Sequence, residues 1–445
     1  MYAEVNPSES KYPFTLYNTE GQVEFADTGT VKAIDGMQKM GSLLYIVSDN
    51  KVYKMTTAGV VTQLTGTMTG TIGRVDMSNN GTQMTIIDPD GNGWVATTTT
   101  VTSISDADFP TSNAVTYLDG YTIVSVEDSG QFNISGLLNS TAWDALDFAT
   151  AEEKPDNLVR PYAFNSSLWL FGQESYEVYH NSGDVDFPFE QTSEAVNTTR
   201  GLGAKFAVAQ DDNALFFLGD DLIFYRGEGY NVTRKSTHAV ETAIKSYSVT
   251  DDAFCFVINM EGHKFVVLTF PTAQATWVLD LATDFWHERT TILSGVEKRW
   301  RANCHATFAG KQLVGDYING KIYELSPSVY TDDGATIKRV MEGTTEWADG
   351  SRFIVDALRL DIDTGVGLTT GQGGDPQVIL EFSNDGKKTW SNEAWRSFGK
   401  IGEFDKQVLW RTLGQSRQKT YRFTITDPVP VRVSGCYQEA RRCAT

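Results

Sequence analysis

Ser383-Asn384-Asp385-Gly386-Lys387-Lys388-Thr389-Trp390 fits the spacing Ser-x-Asp-x-Gly-x-Thr-Trp, with Lys387 where glycine is usual. An aspartate placed this way accepts backbone amides of a tight hairpin turn, and the tryptophan buries beneath it. Such a turn occurs in glycan-cleaving sialidases and in many β proteins without catalysis. A sialidase also needs an arginine cluster to hold a carboxylate, and a Tyr/Glu nucleophile pair. Neither can be assigned here. One box, lying outside the repeats described below, reads as structural.

The other candidate chemistry is weaker. Asp88-Pro89-Asp90-Gly91-Asn92-Gly93 copies the opening of a calcium loop, but its twelfth position is Thr99, where a bidentate Glu is required. A polar hairpin turn is the better reading. The five histidines, His180, His238, His263, His287 and His305, never pair at metal-ligand spacing. Cys304 and His305 are neighbours, yet adjacent strand residues point to opposite faces. Carboxylate pairs recur (Asp184/Asp186, Asp211/Asp212, Asp220/Asp221, Asp251/Asp252, Asp332/Asp333), but Asp clusters in turns of an acidic protein ordinarily face solvent. No nucleophile elbow, phosphate loop or dinucleotide fingerprint is present. The residues predict no catalytic centre, no metal and no cofactor.

One stretch has the composition of a contact surface. Arg396, Lys400, Lys406, Arg411, Arg417, Lys419 and Arg422 interleave with Trp395, Phe398, Phe404, Trp410, Tyr421 and Phe423. Arg and aromatic residues are enriched at the centres of protein interfaces. The candidate assembly residues are Trp395, Arg396, Lys400, Lys406, Trp410, Arg411, Arg417 and Arg422. Between Lys387 and Arg442 there are twelve Lys/Arg and five Asp/Glu, a local +7 in a chain whose formal net charge is −20. The acidity argues against a main surface that grips nucleic acid, since neutralising phosphates needs Lys and Arg. It favours an acidic protein partner, or a neighbouring subunit, for the basic collar.

The elements that must position these residues are strands. Four cysteines in 445 residues make no disulfide framework. No apolar window suits a membrane-spanning helix, and no secretory signal is expected. Short apolar runs alternate between Gly, Asn and Asp turns. Hairpin patterns begin at Gly41, Gly81, Asp119, Ser166, Asn213, Ala253 and Gly310, spaced by roughly the 45 residues of a propeller blade. The expected fold is all-β: a degenerate β-propeller of six or seven blades over 41–327, then a smaller β-sandwich-like platform over 328–445. Within the platform the glycine-rich run Gly365–Gly374 is expected to be a mobile loop between strands. Residues 1–40 form an arm that either closes the propeller or packs on the platform.

The run from Trp390 to Val431 resembles the C-terminal part of the packaged-DNA stabilisation proteins of short-tailed bacteriophages, which form the tail hub or nozzle. The opening agrees: Met1–Pro7 and Leu16–Gly21 are similar to the family's start, with Ala3 and Glu20 standing where the family has prolines. The resemblance implies a non-enzymatic virion protein, assembled in the host cytoplasm into a ring of six copies that extends the DNA channel. Its implied partners are the portal-adaptor, a tail fibre or tailspike, a needle or plug, and genomic DNA passing without sequence-specific binding. The alternative kept open by the residues is a β-propeller that binds or cleaves glycans.

Overall fold

A computed structural model describes residues 1–197 and 199–443, with the side chains of 193–197 left aside. The chain divides into two compact units, Glu24–Arg289 with Arg299–Leu325, and Met1–Val23 with Thr290–Lys298 and Ser326–Thr445.

The larger unit repeats one motif. Six antiparallel sheets of four strands follow in chain order, beginning at Ile34–Met40, Asp76–Asn79, Ser112–Leu118, Leu158–Phe164, Val208–Asp211 and Phe254–Met260. A seventh sheet holds Ala302–Phe308, Lys311–Asp316 and Lys321–Ser326, and its fourth strand comes from the other end of the chain, Gly21–Asp27. Each blade's first strand touches the first strand of a neighbour, and the seventh touches the first. This is a seven-bladed β-propeller whose ring is closed by an N-terminal strand. Such closure covers the edges that a repeat array would leave unpaired.

Burial explains the repeat. Middle strands of the blades are apolar on both faces: Met84–Ile87, Ala214–Leu218 and Leu168–Phe171 are buried throughout. Both faces of such a sheet must be covered by neighbours. Blades four and five are joined by Trp169, Phe171, Tyr176, Phe217 and Tyr225, with Phe171 and Phe217 rings 5.2 Å apart. Blades seven and one share Cys304, Phe308, Leu313 and Ile322 with Ile34, Leu44 and Ile46. Some outermost strands are short and wet, as in Val61–Gln63 and Asn231–Arg234. One α-helix, His238–Lys245, follows the fifth blade; Thr237 caps it, and Glu241 accepts hydrogen bonds from Arg234 and Ser236.

The smaller unit is a two-sheet sandwich. In one sheet Phe353–Ile362 lies between Arg432–Arg442 and the edge strand Val408–Arg411; in the other, Gln418–Ile425 pairs with Gln377–Ser383, which pairs with the edge strand Ala394–Ser397. The core holds Leu358, Leu380, Phe398, Trp410, Phe423 and Ile425. Tyr2–Val5 and Phe14–Tyr17 extend the first sheet beyond Arg432–Arg442. The first forty residues therefore divide their pairing among the sandwich, the last blade and, through Ile34–Met40, the first blade.

The loop Gly365–Gly374 is more constrained than its composition implies. Leu368 N–H bonds Gly373 O at 2.7 Å, and Gly365 N–H and Gly402 N–H tie it to the loop after Phe398. Gly365 is required there because a Cβ would meet the Phe404 ring at 2.6 Å.

Candidate assembly surface

Asp385 is held as its spacing predicts. It accepts the amides of Lys388 and Thr389 at 3.0 and 2.9 Å and the Thr389 hydroxyl at 2.6 Å. Those hydrogen bonds, led by Thr389, hold its carboxyl well below the usual range. Trp390 is half-buried, and the Arg422 guanidinium lies 3.6 Å over its ring. Arg422 and Lys387 both bind Glu342, at 3.0 and 2.6 Å. Arg422 is therefore spent within the sandwich.

Two further residues leave the expected surface. Trp410 is 1% exposed: it points between the sheets, packs against Phe423 and donates its Nε1–H to Ala394 O at 2.8 Å. The sequence alternation there puts Trp410 inward, with Arg411 outward. Lys419 is also buried, bonded to Asn384 Oδ1 and Leu413 O, and burial lowers its pKa to about 8.

What stays outside gathers around two edge strands. Ala394–Ser397 ends one sheet and Val408–Arg411 ends the other, and the two strands touch. Arg396 Nε bonds Leu409 O at 3.0 Å across them. Trp395 is 50% exposed, and the connecting loop bears Ile401 at 62% and Phe404 at 75%. Lys400, Lys406 and Arg411 are exposed beside them. Lys406 reaches Glu403 only at 3.8 Å. Arg417 lies apart, donating to Gly350 O at 2.7 Å. Among the described residues Lys388, Arg396, Lys400, Arg411 and Arg417 form no ion pair, whereas Arg432, Arg441 and Arg442 are answered by Asp363, Asp356 and Asp349. Residues 328–445 hold sixteen Lys/Arg and sixteen Asp/Glu, so the whole −20 belongs to the first 327 residues.

The remaining candidate chemistry is turn chemistry. Asp88 accepts the amides of Asp90 and Asn92 and the Trp94 indole at 2.9 Å. Asp211 and Asp212 share Lys264. Asp220 accepts Gly201 N–H, and Asp184 accepts Asp186 N–H. Cys304 packs under Ile34, while His305 stacks on Phe256 and is lowered to about 4 by burial. Among the described residues no group of three His, Cys, Asp or Glu has the geometry of a metal site.

The chain is a closed propeller followed by a sandwich with a basic, aromatic double edge. Family comparison gives its particular kind. The description "Bacteriophage P22 Gp10, beta-propeller" matches residues 1–330, and "Bacteriophage P22 Gp10, beta-sandwich" matches residues 338–441. The chain belongs to this bacteriophage stabilisation family and is a phage structural tail protein, a component of the virion. No curated protein matches it. Two solved structures align weakly. They are a computationally designed protein, Ika8 (10% identity, TM-score 0.39, 69% of this chain and 100% of that one), and BamB from Moraxella catarrhalis (8%, 0.40, 72% and 94%). Neither likeness is strong enough to support an argument.

Proposed function

We propose that this chain forms the tail hub, a homohexameric ring that extends the DNA channel below the portal-adaptor and helps to retain the packaged genome. The observation that carries the reading is the division of charge and exposed apolar surface between the units. The propeller unit carries −18 of the net −20, while the sandwich presents unpaired Arg396, Lys400 and Arg411 beside exposed Trp395, Ile401 and Phe404. Exposed aromatic residues next to unpaired cations suit a protein partner rather than solvent. Acidic channel walls let DNA slide without adhering, because they offer phosphates no cation. The DNA passage belongs to the ring and not to the propeller axis, which is occupied by Arg74, Arg160, Phe206 and Phe254. The portal-adaptor and the neighbouring subunit are the partners assigned to the double edge. The tail fibre or tailspike and the closing needle are assigned to surfaces outside it.

Charge reversal tests this. Arg396→Glu with Arg411→Glu is expected to leave a folded monomer that no longer forms rings by analytical ultracentrifugation and negative-stain microscopy. Normal rings that still dock onto filled heads would remove the double edge from the assembly. A folded monomer that cleaves sialosides would favour the glycan reading instead.

A further inference from the structure

Between Arg74 and Lys154 the chain has no Lys, Arg or His, and twelve Asp or Glu. Blades two and three lie wholly inside this run, so no carboxylate there is answered by a cation of its own blade. Blade three adds exposed apolar surface. Its edge strand, Asn139–Thr150, is twelve residues long, against three for Val61–Gln63 in blade one. That strand leaves Leu146 82% exposed; Phe148 and the preceding turn's Leu137 and Leu138 are exposed as well. A long edge with apolar side chains outward is a surface that another chain can cover.

The backbone holds these side chains out. Asn133 pairs with Phe148 and Ser135 with Trp143, so four residues, 144–147, stand against one and the edge strand bulges. Within the bulge Leu146 N–H bonds Asp144 Oδ1 at 2.9 Å. Leu138 has a φ of 58°, a left-handed turn conformation where Gly or Asn is the usual choice. Its N–H donates to Gly120 O at 2.7 Å, and its carbonyl accepts Asn80 Nδ2 at 3.3 Å. A leucine held exposed in a conformation that disfavours it serves neither the turn nor the core.

Three carboxylates frame the patch. Asp144 and Asp147 sit on the bulge. Asp119 is next to Gly120, where a Cβ would meet Leu137 Cδ1 at 2.6 Å. Among the described residues none of the three forms an ion pair. Burial, and then neighbouring Asp144, push the Asp147 carboxyl up, as a like charge without a nearby cation must.

This acidic face and the basic double edge of the sandwich are complementary in charge, and both are apolar at their centres. Neither suits a second copy of itself, because like charges would then meet across the contact. We propose that, in the proposed tail-hub ring on which this inference rests, the bulged edge strand of blade three receives the double edge of the next copy. Arg396, Lys400 and Arg411 would then face Asp119, Asp144 and Asp147, and Trp395, Ile401 and Phe404 would cover the exposed leucines. Such a contact is heterologous, so it repeats from copy to copy and closes into a ring where the rotation allows.

Mixing two half-disabled chains tests this. Leu146→Asp spoils the acidic face at an exposed position, and Arg396→Glu with Arg411→Glu spoils the basic edge. Both proteins should melt as wild type by circular dichroism. Self-association is expected to weaken at least about tenfold in each, leaving monomers by analytical ultracentrifugation. Mixed in equal amounts, they should form a 1:1 dimer and stop there, since one intact face of each kind remains. Wild-type rings with a monomeric mixture, or rings from Leu146→Asp alone, would overturn this contact and leave the tail-hub assignment intact. Open wild-type filaments, with the mixture still dimeric, would keep the contact and remove the closed ring. A wild-type chain and a mixture that both stay monomeric would remove both.

Discussion

Asp76 and Arg160, 84 residues apart, meet at 2.7 Å and tie blade two to blade four. The other carboxylate oxygen of Asp76 accepts Val115 N–H of blade three at 2.8 Å. One side chain thus fixes three consecutive blades at their inner strands. Removing it leaves a buried guanidinium and a backbone amide without partners. Asp76→Ala is expected to cost about 3–5 kcal/mol, read by urea unfolding. Adding Arg160→Met should restore most of that loss, because the uncompensated charge goes with it. Additive losses in the double variant would show that the pair itself contributes little.

Gly435 is kept free of a side chain by Tyr12. A Cβ there would lie 2.4 Å from the Tyr12 ring. The ring is anchored by its hydroxyl, which donates to Asp361 at 2.7 Å beside Lys11 at 2.9 Å. Burial pushes the Asp361 carboxyl up, but the hydrogen bonds from Tyr12, Lys11 and Arg359 outweigh it and leave it below the usual range. Gly435→Ala is expected to displace the arm at a cost of about 1–3 kcal/mol. Trypsin should then cut at Lys11 faster than in wild type. Unchanged cleavage would mean that the ring moves aside without releasing the arm.

Sequence patterns disclosed the parts of this fold that are buried on both faces. The hairpins are the second and third strands of every blade but the sixth, because those strands carry unbroken apolar runs such as Ala214–Leu218. For blade six the run at Ala253 marks the first and second strands instead. Outer strands such as Val61–Gln63 are too short and polar to stand out, and the closing strand Gly21–Asp27 lies roughly 300 residues from its partner Lys321–Ser326. Charge counting failed differently. It could not show that Arg422 and Lys387 are answered by Glu342, or that Lys419 and Trp410 are buried, since those facts depend on pairing across sheets. The axial cations gave no local signal at all; Arg74 and Arg160 share nothing in sequence but their closeness to inner strands.

Asp35 gives the propeller a distinctive pH dependence. Burial raises its carboxyl to about 6, against the opposing pull of Arg74 and with some help from Asp49. The folded state therefore holds the proton more tightly than the unfolded chain does between the ordinary value of 3.8 and about 6. Its contribution to stability is complete below the lower value and lost as pH rises through the upper one. At pH 7 the buried charge is a burden of about 3 kcal/mol at most, from the rise between 3.8 and about 6. Asp35→Asn should be more stable than wild type at pH 7 and level with it near pH 4, by urea midpoints. A gap that does not close on acidification would assign the burden to packing instead.

Trp395 and Trp410 allow folding of the sandwich to be tested apart from the proposed assembly. They sit on the two touching edge strands, one half-exposed and the other in the core. Trp410→Ala opens a cavity beneath Phe423 and frees Ala394 O, at an expected cost of about 3–5 kcal/mol. The sandwich should melt early, and rings should fail as a consequence. Trp395→Ala removes an exposed indole that donates its N–H to neighbouring, exposed Glu393, so stability should move by less than about 0.5 kcal/mol. Ring formation should nonetheless fall, because an exposed tryptophan among unpaired arginines is what an interface centre uses. Unaltered rings with Trp395→Ala, at wild-type stability, would place the subunit contact on another face of the sandwich.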